Sequence, residues 1–132
     1  MLSQECVQEL RSAWLPNITD AGLTRLIEML ERASPMLIHG SFSRSVPMGC
    51  LATHIAWNHP RTAHMTQEAG VCWLYQVAGL NPATSQVIRA WDRGGIHDLD
   101  VRGELLGMFR EECQRRQQAT PRPNRIAAFA TV

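Results

Sequence analysis

Lysine is absent from this chain. All thirteen basic residues are arginine, and against twelve acidic residues they leave a net charge of only +1. The arginines are scattered, so the basic stripe by which a nucleic-acid binder is usually recognised is missing, except near the end of the sequence. The all-arginine usage reads as the codon bias of a GC-rich genome rather than as a choice of bidentate anion contacts. Long apolar runs are missing as well. The first twenty residues contain Glu5, Glu9 and Asp20 and lack the stretch that a secretory signal or a spanning helix requires, which predicts a cytoplasmic chain with no membrane partner. Closely spaced cysteines are a third absence. Cys6, Cys50, Cys72 and Cys113 stand far apart, each within an apolar helical pattern, and so predict free, mostly buried thiols rather than a disulfide framework or a paired CxxC zinc site.

What remains is 132 residues, 45% of them hydrophobic, enough for one domain with its own core. The apolar residues recur at helical spacing, and no strand alternation longer than a few residues appears. A first helix is predicted from Ser3, its cap, to Leu15, with Val7, Leu10 and Trp14 on one face and Pro16-Asn17 ending it. A second starts at Thr19 or Asp20 and carries Leu23, Leu26, Ile27, Leu30 and Ala33 as a stripe, with Glu28 and Arg32 paired outside it. The segment 34–47, rich in Ser, Pro and Gly, reads as a loop with a short extended piece at 36–39. A third helix over 47–58 is apolar on two sides and reads as central.

The fourth helix begins at the Thr66 cap and is apolar on nearly all sides up to Gly79, which places it in the core or at a subunit contact. Asn81-Pro82 signals the start of a fifth, whose inward face is Val87, Ile88 and Trp91 and which Gly94-Gly95 stops. Asp98 caps a sixth, with Val101, Leu105, Met108, Phe109 and Cys113 inward and the pairs Glu111–Arg115 and Glu112–Arg116 outside. The prediction is an all-α fold: an irregular bundle of five or six short helices in one domain over 1–116, followed by a flexible or docking C-terminal tail over 117–132.

Residues that could carry chemistry are few. Cys50 and His54 are four apart on one helical face, and His59 and His64 follow closely, a set compatible with metal ligation by some of its members. A helix rises about 1.5 Å per residue, so His39 before the third helix and His59 after it fall roughly 15 to 20 Å apart and do not share one ion. Cys50 with His54 also supplies the residue types of a thiol nucleophile and its base. The loop 40–45 places hydroxyls and Arg44 before a helix start, where an anion could meet free backbone donors. Tryptophans 14, 57, 73 and 91 have aliphatic neighbours and read as core rather than as a stacking platform.

The stretch Ala78-Gly79-Leu80-Asn81-Pro82-Ala83-Thr84 resembles the turn and recognition-helix start of helix-turn-helix DNA-binding proteins. That resemblance covers 66–94 and implies Arg89 and Arg93 as phosphate contacts. It departs from the family where Tyr75 replaces the small residue before the turn and Ser85 replaces a buried aliphatic.

The reading that follows from all of this is a small helical binding or regulatory module. It needs no cofactor and acts by contact with a protein partner or a second copy of itself. Trp73 and Tyr75 on the fourth helix and Ile126 and Phe129 in the tail are its contact residues. A DNA-binding regulator using Arg89 and Arg93, and a metal or thiol site using Cys50, His54, His59 and His64, are the alternatives.

Overall fold

An oxygen-bearing side chain sits just ahead of almost every helix. In the computed structural model, which describes residues 2–39, 48–81 and 83–119, Ser3 Oγ accepts the Cys6 amide at the start of α1 (Gln4–Glu9) and Thr19 Oγ1 accepts the Gly22 amide at the start of α2 (Asp20–Arg32). Helix α3 (Leu51–Trp57) follows Cys50 without a side-chain cap. Thr66 caps α4 (Gln67–Ala78), Ser85 caps α5 (Gln86–Asp92), and Asp98 Oδ1 accepts the Val101 amide in the first turn of α6 (Leu99–Ala119). Each such bond satisfies one of the amides that a helix start leaves without an intrahelical partner. The fold is all-α. Among the described residues the one extended feature is a parallel bridge between Leu37 and Gly49, in which the Gly49 amide donates to Met36 O and the Ile38 amide to Gly49 O, both at 2.9 Å.

Several boundaries differ from the sequence expectation. The first helix does not stay α-helical to Leu15: it passes into a π segment, Leu10–Trp14, and then a 3₁₀ turn, Leu15–Asn17. The third helix starts later than 47, because Gly49 is held in the bridge. A Cβ at Gly49 would lie 2.8 Å from Thr53 and 3.0 Å from Trp57, so the close approach needs glycine. Asn81 does not cap α5. Its side chain closes a turn by accepting the Ala83 amide, its carbonyl accepts the Thr84 and Ser85 amides, and the helix begins at Gln86. Helix α6 runs to Ala119, three residues into the segment read as tail; the remainder of that tail lies outside the described residues.

The helices pack in a chain of pairs around one core, α2 on α6 and on α3, α3 on α4, and α5 on α1. Val101, Leu105 and Phe109, four residues apart, form the stripe that α6 buries, and α2 supplies Leu23, Leu26, Met29 and Leu30. Each of these leucines contributes about 2 kcal/mol by leaving water. Arg102 of α6 donates to Leu30 O and Glu31 O, closing the carbonyl end of α2, and Arg116 donates to Asp20 and Leu15 O at its other end. The two helices therefore run antiparallel, pinned at both ends. Outside the core, Glu112 rather than Glu111 pairs with Arg115, and Glu28 pairs with Arg25 at 3.6 Å, not with Arg32. Helix α3 is buried from Leu51 to Ala56, as its two apolar sides predict. Trp14 and Trp91 are fully buried, and Trp91 Nε1 donates to Ile38 O at 2.8 Å. No described helix is long and apolar enough to cross a membrane.

Candidate interaction surface

Helix α4 has a buried side and a wet side, although its sequence is apolar around most of its circumference. Gly70, Val71, Leu74 and Tyr75 face inward, and the helix packs on α3. The opposite arc carries Glu68, Ala69, Cys72, Gln76 and Val77, all exposed, with Trp73 half-buried at its edge. Val77 is 51% exposed, and Met65, one turn ahead of Ala69, is 40% exposed. Residues 69, 73 and 77 are spaced by four, so they form one ridge along the helix, the kind that seats in the groove of a second helix, and Met65 lies just ahead of the Thr66 cap. Trp73 is steadied from the side by His59, whose ring centre lies 5.1 Å from the indole and whose Nδ1 accepts the Arg61 amide at 3.1 Å.

Of the contact residues expected from the sequence, Trp73 lines this face and Tyr75 does not. Tyr75 is 3% exposed and meets Trp14 edge to face at 5.7 Å. Burial pushes its hydroxyl pKa up, with nearby Cys50 and Asp92 adding to the effect. It supports the helix from beneath, a core residue rather than the contact residue its sequence position suggested. Ile126 and Phe129 lie outside the described residues, as do the loop 40–47 with Arg44.

Neither alternative constellation is assembled as its spacing implied. Cys50 and His54 are both buried, with Cys50 Sγ 3.4 Å from Thr53 Oγ1 and His54 Nε2 2.8 Å from Met36 O. Burial lowers the His54 pKa and outweighs the carbonyl contact, so its imidazole is neutral but already occupied. His54 meets Trp57 edge-on, His59 lies tilted against Trp73, and His64 is exposed on the turn before α4. Among the described residues no three His, Cys, Asp or Glu side chains converge.

In the helix-turn-helix comparison, seven residues, 79–85, separate α4 from α5, where the motif has a turn of about three or four. Helix α5 docks on α1 rather than forming a tight pair with α4. Arg89 and Arg93 are exposed on its last turns.

The cysteines are all free, but their burial is uneven. Cys6 and Cys50 are buried, Cys113 is intermediate and Cys72 is exposed on the α4 face, which corrects the expectation of four mostly hidden thiols. Burial, reinforced by Glu9 and Glu104, pushes the Cys6 thiol up to about 11. Sequence reading missed Cys72 because an apolar helix of twelve residues gives no sign of which side its neighbours leave open.

Among the described residues, open clefts include the following pair. One, of about 710 Å³, lies between Leu15-Pro16 and the end of α6, where Arg115 and Arg116 are bound to Glu112. The other, of about 540 Å³, lies between the outer side of α1 and Ala78–Leu80, at the foot of the α4 ridge. Comparison of the chain with family models, with curated proteins and with solved structures gives no match.

Proposed function

We propose that this protein is a small helical binding module that works through protein–protein contact, with the outer face of α4 as the contact surface and a second copy of the chain as its occupant. The observation that carries the reading is the ridge Ala69, Trp73 and Val77 on α4, with Met65 just ahead of the helix: Met65, Ala69 and Val77 are exposed and Trp73 is half-buried beside them. A large side chain such as Val77 left in water forgoes the roughly 1.5–3 kcal/mol that burial would return, and a facing helix recovers it. The same face on two copies gives a self-complementary, two-fold contact, the commonest symmetry of homo-oligomers. Glu68 is the single acid on the exposed arc, so like-charge repulsion across the axis is small.

Sedimentation of the full chain tests this. Wild type should dimerise at high micromolar concentration, and Val77→Glu, which places a carboxylate in the contact, should remain monomeric with an unchanged melting temperature. Thiol labelling gives the second readout: Cys72 should react more slowly as the concentration rises through the dimerisation range. A strict monomer in which Cys72 reacts equally at every concentration would refute the face as an interface between copies.

A further inference from the structure

We infer that His39 and His97 form a surface site for a divalent transition-metal ion, a site unrelated to the α4 face. The two residues come from distant parts of the chain, His39 from the stretch after the Leu37 bridge and His97 from the 3₁₀ turn Gly95–His97. Their rings nevertheless meet at 6.1 Å between centres and 77° between planes.

Three features point to ligation rather than packing. First, no hydrogen bond joins either ring to a described residue, whereas His54 and His59 both spend a ring nitrogen on the backbone. Second, the His39 ring is seated on Gly95. A Cβ there would lie 2.7 Å from His39 Nδ1 and 2.9 Å from its Cγ, and Gly95 also has φ +55, so glycine serves both the turn and the close approach. That seat fixes the ring with its Nδ1 edge against the backbone and leaves Nε2 as the ligand atom, with no hydrogen-bond partner among the described residues. Third, the spacing suits one shared ion. Imidazole nitrogens bind zinc at about 2.0–2.1 Å, which sets two rings on one ion roughly 5 to 6 Å apart, within a small rotation of the exposed His97 ring.

With no third protein ligand converging among the described residues, water completes the shell. Imidazole donors favour zinc, copper and nickel over magnesium or calcium.

Zinc(II), titrated calorimetrically into the metal-free full chain, tests the site. One ion should bind, shifting the ring resonances of His39 and His97 in the NMR spectrum, and binding should weaken as pH falls and protons compete for the imidazoles. His39→Ala and His97→Ala should each lower affinity by about tenfold or more. His64→Ala and Cys72→Ser, which remove other exposed donors, should leave it unchanged. The assignment fails if no binding is seen up to about 1 mM zinc, or if folded His97→Ala binds as wild type does. It fails equally if the loss follows His64 or Cys72 instead.

Discussion

Replacing Glu9 by glutamine should destabilise the fold far more than a change of one atom suggests. The Glu9 carboxylate leaves the last turn of α1 and caps a helix that begins some 76 residues later. Its Oε1 accepts the Gln86 amide at 2.8 Å, and its Oε2 accepts Trp14 Nε1 at 2.8 Å, Ser85 Oγ at 2.7 Å and the Val87 amide at 3.1 Å. An amide in its place keeps one acceptor oxygen. In the better of its two orientations the NH₂ faces the Gln86 amide, donor against donor, while the three bonds at the other oxygen become neutral. Orphaning one half-buried donor and losing the charge on the rest amounts to about 3 kcal/mol, or roughly 10 °C in melting temperature for a domain of this size.

The pH dependence has a definite sign. Burial raises the Glu9 pKa, but the bonds from Trp14, Ser85, Gln86 and Val87 outweigh it and hold the group below its ordinary value. Its stabilisation is therefore fully present above the unfolded-state pKa of about 4.3 and is lost as pH falls through the lower native value. Urea denaturation of both proteins from neutral pH to about pH 3 measures the gap directly. The gap should be widest near neutrality and shrink in the acid range, and the Gln86 and Val87 amides should exchange faster in the variant. A gap below about 0.5 kcal/mol at neutral pH, or one that stays constant into acid, would refute the capping role.

Two helix ends share a left-handed terminal residue, Ala33 at φ 49 and Gly79 at φ 69, so Ala33→Gly should stabilise and Gly79→Ala destabilise, each by about 1 kcal/mol in denaturant titrations. Nothing lies within 4 Å of a Cβ at Gly79, so the backbone alone sets that cost. Trp91→Phe should cost about 2–3 kcal/mol, because it leaves the Ile38 carbonyl without its indole donor and opens a void in the core; a loss below about 1 kcal/mol would mean that the site collapses. A thiol reagent should label Cys72 first and Cys113 more slowly in dilute native protein, with Cys6 and Cys50 reacting only on unfolding; early labelling of Cys6 would contradict its burial.

Local signals in the sequence carried the architecture well wherever the cause was local. Ser3, Thr19, Thr66 and Asp98 cap the helices they precede, and the stripes of α2 and α6 face the core as their spacing requires. The errors arise where a distant residue decides. Asn81-Pro82 looks like a better helix start than Ser85, yet Ser85 is where Glu9 reaches the chain, and the second cap wins. The π segment, closed by the Leu15 amide donating to Leu10 O, carries Trp14 to the same distant site, where its indole donates to the Glu9 carboxylate. For the candidate surface, composition marked α4 as unusually apolar but could not tell Tyr75 from Val77. The side of a helix that its neighbours cover is a property of the packing. The His39–His97 pair was invisible for a similar reason: no local pattern links two residues this far apart in sequence, while the fold seats His39 on Gly95 beside His97.

The ties that pin α2 against α6 also bear on the order in which the chain assembles. Arg102 and Arg116 reach back 71 to 101 residues to Leu30 O, Glu31 O, Asp20 and Leu15 O, and Glu104 accepts the Leu2 amide across 102 residues. During synthesis the end of α2 therefore has only its local Ala33 and Ser34 cap until Arg102 emerges and reaches the Leu30 and Glu31 carbonyls. Helices form in about a microsecond, but closures across this much chain come later and set the pace. Until α6 arrives, the side of α2 that packs on it lacks its partner on the nascent chain. That interval is when aggregation competes most strongly with folding.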